Sequence, residues 1–342
     1  MILKSGGIAA AIAVAFLSAS SLPALAQDAD AAACGTDRTI DIAEMSWPSA
    51  AALAHIHATI LEQGYGCDVE IVAGDTVPTS SSMLTRGNPA VAPELWTSAI
   101  EEAWDAAIEE GTVVELSDAI TDGTVEGWFI PAYVQEEYPE LTTAEAVIAR
   151  PDLFADPEDP SKGRLYSCPP GWACELSTSA LFEAFGMEET WNLFSPGSGG
   201  ALDASIARAF TREEPILFYY WGPTAILGKF PAVQLDIGEA DVAVYQCNTD
   251  PDCDEPAGVT AYPSSPAVVG AAAWITEDAP AVADYFSKVG LTNAEISELL
   301  VYGDENQADA EATAENFLKT KQDVWTNWVP AEVAEKVLAT LG

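Results

Sequence analysis

Cys168-Pro169-Pro170-Gly171-Trp172-Ala173-Cys174 is the stretch on which the reading of this chain turns. Two cysteines flank a tryptophan in a short Pro/Gly loop, and a bond between them would close that loop covalently. A clamped ring presents one face at a fixed place, whereas a free loop buries its ring or lets it wander. The β-rich run Arg164–Cys168 leads into the loop and the helical run Ser177–Phe185 leaves it. The same alternation of short β-rich and helical runs extends along the chain and predicts an α/β architecture with largely parallel sheets.

Upstream, Thr39–Glu44 and Val69–Ala73 read as parallel strands joined by a helix over Ala50–Gln63. A short helix over Ser80–Arg86, a strand Val91–Leu95, a helix Ser98–Glu110 and a short strand Val113–Glu115 follow. Gly127–Val134 suits a buried strand near a crossover, Ala144–Arg150 a helix, and Pro151–Gly163 a surface loop. Downstream, Ala201–Thr211 reads as a helix, and Ile216–Tyr220 and Ala267–Ile275 as strands. Ala279–Val289, Asn293–Tyr302, Ala308–Trp325 and Ala331–Leu341 are helical in pattern. No repeat and no long linker interrupts this order.

Tryptophans fall where β-like runs end. Trp47, Trp96, Trp172 and Trp221 each follow such a run, and ligands of open α/β sheets bind beyond the carboxyl ends of strands. These four come from separate parts of the chain, so bringing them together requires a cleft between two lobes. Converging aromatic faces suit a cation that lacks hydrogen-bond donors, because the ring quadrupole attracts it directly. The other use of tryptophan is core packing, and Trp104, Trp191, Trp274, Trp325 and Trp328 are assigned to it.

Residues 1–26 read as an export signal, with Lys4, an apolar core Ile8–Leu17 and a small-residue cleavage site at Ala24-Leu25-Ala26. Its apolar core is too short to span a bilayer, so the expected location is periplasmic. Lipidation of Cys34, which follows three alanines, is an alternative fate for that residue. Cleavage would remove only Lys4, so the formal charge of −41 becomes −42. Such a surface repels nucleic acid and anionic membranes and steers cations inward, although salt screens that field within about 10 Å. Six cysteines in an exported chain point to disulfides, with fifteen possible connectivities. Proximity favours Cys168 with Cys174 and Cys247 with Cys253. Cys34 and Cys67 would lie at the same end of neighbouring strands.

Catalytic signals are weak. The two histidines, His55 and His57, lie inside a predicted helix, and no nucleophile motif, Walker loop or dinucleotide fingerprint is visible. Gly197-Ser-Gly-Gly reads as a turn and helix start. Asp250, Asp252 and Asp254 alternate as in calcium loops, but Glu255 stands where the sixth-place glycine is needed. No metal and no cofactor is expected.

Taken together, these segments resemble the substrate-binding proteins of ABC importers for glycine betaine, proline betaine or choline. Cys168-Pro-Pro-Gly-Trp172-Ala-Cys174 is similar to that family's disulfide-closed Pro-Gly-Trp loop, and Phe218-Tyr-Tyr-Trp221-Gly-Pro to its strand ending in Trp-x-Pro. Leu95-Trp96 occupies the place of another cage tryptophan. Met45-Ser-Trp47 and Gly127-Trp128-Phe-Ile-Pro-Ala-Tyr133 resemble segments that carry cage aromatics in choline-binding members. The resemblance implies two α/β lobes closing on a ligand: residues 27–122 with 262–342, and residues 123–261. It implies a cage of Trp47, Trp96, Trp128, Tyr133, Trp172 and Trp221, with the backbone amides of Ala173 and Cys174 holding a ligand carboxylate.

Thr224 stands where betaine binders often have His, and Ser49 where choline-type members have Asp. The expectation is therefore a monomeric, non-enzymatic receptor delivering glycine betaine or dimethylsulfoniopropionate to a membrane permease. A receptor for choline or an unrelated solute, and an exported hydrolase of methylated substrates, are the competing readings.

Overall fold

The computed structural model describes residues 33–250 and 252–342; the expected export signal over residues 1–26 lies outside them. The first strands are β1 (Ile40–Met45), β2 (Val69–Gly74), β3 (Val91–Trp96), β4 (Val113–Asp118) and β5 (Val125–Pro131). Then come β6 (Gly163–Tyr166), β7 (Trp191–Phe194), β8 (Leu217–Gly222), β9 (Ala232–Gln234) and β10 (Ala267–Ala272). They form two five-stranded sheets, ordered β2-β1-β3-β10-β4 and β7-β6-β8-β5-β9. Each sheet with its helices is one lobe.

Both sheets are mixed, which corrects the expectation of largely parallel ones. β1 pairs in parallel with β2 and β3, but β10 runs antiparallel between β3 and β4. In the second sheet β6 is parallel to β7 and β8, and β5 is antiparallel to both β8 and β9. The reversed strand of each sheet is the one that enters at a crossing between lobes. Both β10 and the centre of β5 are buried apolar runs, and hydrophobicity carries no information on strand direction.

The first helix, Pro48–Thr59, continues as a π-helical turn Ile60–Tyr65. At Gly64 a Cβ would come within 2.5 Å of Val333, so glycine lets the last helix, Ala331–Leu341, pack closely there. Register between β1 and β2 is continuous from Ile40 opposite Val69 to Met45 opposite Gly74. That register sets Cys34 and Cys67 close enough to be disulfide-bonded, as Cys168–Cys174 and Cys247–Cys253 also are. Cys34 is thus engaged by Cys67 rather than free for lipidation. His57 is a core residue whose Nδ1 lies 2.5 Å from the Tyr285 hydroxyl. Among the described residues, no helix is long and apolar enough to cross a membrane.

The candidate ligand-binding site

Four strand ends converge. Trp47 follows β1 as the cap residue of helix Pro48–Thr59, whose leading proline is preset for the first helical turn. Trp96 closes β3, and Trp221 is the penultimate residue of β8. Trp172 caps helix Ala173–Ala184 at the end of the disulfide-closed loop. Gly171 before it has φ +91°, a left-handed conformation that favours glycine.

These four indoles, with Thr76, Ser98, Glu126, Ala173, Cys174 and Tyr219, line one small cavity. First-lobe and second-lobe residues both contribute, and none of the four tryptophans is more than 9 % exposed. Trp47 meets Trp172 at 5.5 Å and 77°, and Trp172 meets Trp221 at 5.0 Å and 83°. Such edge-to-face contacts are favourable in themselves, and near-right angles make the rings the corner of a box. Tyr219 stacks along Trp221 at 6.5 Å and 24°.

Hydrogen bonds fix the rings from behind. Trp172 Nε1 donates to Ser46 Oγ at 2.8 Å and Asp75 Oδ1 at 3.0 Å, both across the cleft. Trp47 Nε1 and Trp96 Nε1 donate to Glu94 Oε1 at 2.7 and 3.0 Å, and Ser49 Oγ joins them at 3.1 Å. Burial pushes the Glu94 carboxyl above its usual range, while these three donors pull it back. Gly199 also shapes the site: a Cβ there would press within about 3.0 Å of the Trp172 ring.

Two kinds of group on the wall can meet a negative charge. Ala173 and Cys174 open a helix, so their N–H groups have no intrahelical acceptor. Glu126 lines the same cavity, its Oε1 accepting from the Tyr219 hydroxyl at 2.7 Å. Burial raises the Glu126 carboxyl to about 7, and the Tyr219 hydrogen bond opposes that rise.

A raised acid makes the folded state hold its proton where the unfolded chain has lost it. Stability contributed relative to Glu126→Gln should therefore be full below about 4.5 and decline as pH rises to about 7. Partial exposure limits the decline to about 2 kcal/mol. His57, held down to about 3 by burial, acts with the opposite sign in both proteins, so the difference between their urea stabilities across this range isolates Glu126.

Removing the clamp gives a second expected result. Cys168→Ser/Cys174→Ser should lose about 2 kcal/mol of stability from the freed loop. It should also weaken ligand binding about tenfold, because Trp172 and the two helix-start amides lose their fixed place. Calorimetry on the double variant checks both.

Six of the residues expected at the site, Trp47, Trp96, Trp172, Ala173, Cys174 and Trp221, line this cavity. Trp128 and Tyr133 do not. Trp128 is fully buried against Phe185 with its Nε1 donating to the Tyr262 hydroxyl at 3.1 Å. Tyr133 leaves the sheet because β5 ends at Pro131 and helix Ala132–Glu137 begins. Its hydroxyl instead donates to the Glu214 carbonyl at 2.7 Å.

Reading the residues missed Glu94, Glu126, Tyr219, Asp75 and Gly199. Tyr219 had a signal, since it alternates with Trp221 on one face of a strand. Asp75 and Gly199 had none, because each meets Trp172 only in the fold, Asp75 across the cleft and Gly199 within the same lobe.

Comparison with known proteins places these features in context. Residues 38–320 match the family described as the substrate binding domain of ABC-type glycine betaine transport system. A trimethylamine N-oxide-binding protein of Pelagibacter ubique (strain HTCC1062) is 24 % identical over 300 residues, covering 86 % of this chain and 91 % of its own. A glycine betaine/proline betaine-binding periplasmic protein of Salmonella typhimurium is 24 % identical over 220 residues, 62 % of this chain and 66 % of its own. Among solved structures, an ABC-transporter choline binding protein in complex with choline shares the fold with a TM-score of 0.70 and 18 % identity, covering 90 % of this chain and 99 % of its own. The chain belongs to the family of substrate-binding domains of ABC-type glycine betaine transport systems, solute receptors of importers rather than enzymes.

Proposed function

We propose that this receptor works in the periplasm and captures a small methylated ammonium or sulfonium zwitterion, with Trp47, Trp96, Trp172 and Trp221 around the methyl groups. Residues 27–122 with 262–342 would form one lobe and residues 123–261 the other, closing as a hinge before the ligand passes to the permease. The observation that carries the reading is the convergence of four buried indoles from both lobes on one small cavity. Each cation–aromatic contact contributes about 0.5–2 kcal/mol, so four supply about 2–8 kcal/mol of the roughly 8 kcal/mol that micromolar binding requires.

Within this class, trimethylamine N-oxide fits the wall best. Its single anionic oxygen can accept from Glu126, which burial keeps protonated up to about 7. A relative named as binding that compound aligns over most of the chain. Glycine betaine and dimethylsulfoniopropionate form the second reading, favoured by the free amides at Ala173 and Cys174, which suit a carboxylate.

Calorimetric titration at pH 6 and pH 8 separates them. Trimethylamine N-oxide should bind about tenfold more weakly at pH 8, and Glu126→Gln, which still offers an N–H donor, should flatten the profile. Tighter binding at pH 8 would make Glu126 a counter-ion and defeat the N-oxide reading. Tighter binding of glycine betaine at both pH values would favour the carboxylate site.

A further inference from the structure

We propose that Glu94 positions the cage and sets its preference for a cationic head group, acting through Trp47 and Trp96. The inference rests on the receptor reading above. Glu94 sits in β3, where every residue is buried, and is itself 0 % exposed. A carboxyl group in such a strand is costly unless it is paired. Its hydrogen-bond partners are two indole N–H groups and the Ser49 hydroxyl, all on Oε1; Oε2 is buried without a partner. An uncharged amide oxygen would satisfy the same donors at lower cost, so the acid calls for a role beyond packing.

The geometry supplies one. Trp47 arrives from the turn after β1 and Trp96 from the end of β3, and one oxygen fixes both. An indole N–H can only donate. Without this acceptor each ring would turn to find another and the wall would lose its shape. Glu94 does not line the cavity, so it cannot compete for the ligand. An indole that donates to a carboxylate is polarised by it, and its face becomes more negative. Cation–ring attraction is electrostatic, so the bound onium would feel Glu94 through both rings and would in turn favour its ionised form. Choice of a charged over an uncharged head group then depends on a residue that never touches it.

Glu94→Gln and Glu94→Leu test this, with glycine betaine and its carbon isostere 3,3-dimethylbutanoate as competing probes. In Glu94→Gln, two of the ten indole N–H resonances should move upfield. The affinity ratio of onium to isostere should fall about tenfold. Glu94→Leu should lose about 100-fold in onium affinity. If Glu94→Leu does not fold, the resonances and the ratio of Glu94→Gln decide alone. An unchanged ratio in Glu94→Gln, or indole resonances that stay in place, would overturn the role of Glu94. Failure of the parent protein to bind any onium probe would instead sink the receptor reading, and this inference with it.

Discussion

Trp172→Ala is expected to weaken onium binding by about 100-fold, the largest loss of any single cage substitution. Three contributions fall together. A ring face is removed, worth about 0.5–2 kcal/mol against a cation. Trp47 and Trp221 both lose their edge-to-face neighbour. The indole hydrogen bonds to Ser46 and Asp75, which tie the second lobe to the first, disappear as well. A total near 3 kcal/mol corresponds to roughly two orders of magnitude in Kd.

Trp172→Phe helps separate these contributions, because it keeps a smaller aromatic face and deletes the donor. Its loss should be about tenfold, read by calorimetry beside the alanine variant. Equal losses in the two would mean that the bridge across the cleft dominates over the ring. A loss below threefold in the alanine variant would remove Trp172 from the cage.

Gly163→Val should have the largest effect on stability, about 3–4 kcal/mol. Gly163 opens β6, the strand that carries the chain to the clamped loop. A Cβ there would lie 2.5 Å from the Trp191 ring, and valine adds two methyl groups beyond it. Trp191 cannot step aside, since its Nε1 donates to the Ile148 carbonyl at 3.0 Å and its ring packs on Phe154. Overpacking of a fixed core group costs about 1–3 kcal/mol, and a strand shift adds to it. In urea the midpoint should fall at an unchanged m-value. A change under 1 kcal/mol would mean that β6 and β7 are not packed as described.

Local order was legible in the sequence wherever one segment carried its own signal. The strand, clamped loop and helix around Trp172 could be read because two cysteines, a Pro-Pro-Gly turn and a helical run stand side by side. Helix Ala331–Leu341 emerged with its observed limits because its apolar spacing is regular. What stayed hidden depends on partners distant in sequence. β7 was missed because Trp191–Phe194 is only four residues long, and Trp191 read as core packing alone.

The expected strand Val91–Leu95 contains Glu94, and nothing in that run says how a buried carboxyl is satisfied there. What makes that tolerable is a tryptophan 47 positions earlier. Trp128 and Trp221 look alike in sequence, each in an aromatic strand. They differ because Trp128 packs on Phe185 inside the second lobe, while Trp221 lines the cavity with Trp47 and Trp96 of the first lobe. A pattern of alternation gives two faces of a strand and does not say which one meets the other lobe.

The most direct measurement is a calorimetric titration of the purified protein with trimethylamine N-oxide, glycine betaine and dimethylsulfoniopropionate, beside glycine, the unmethylated counterpart of glycine betaine. Saturable micromolar binding of at least one methylated compound, with no heat from glycine, is the predicted result. Heat from glycine equal to that from the methylated compounds, or from none of them, would mean that the four indoles do not recognise an onium head group.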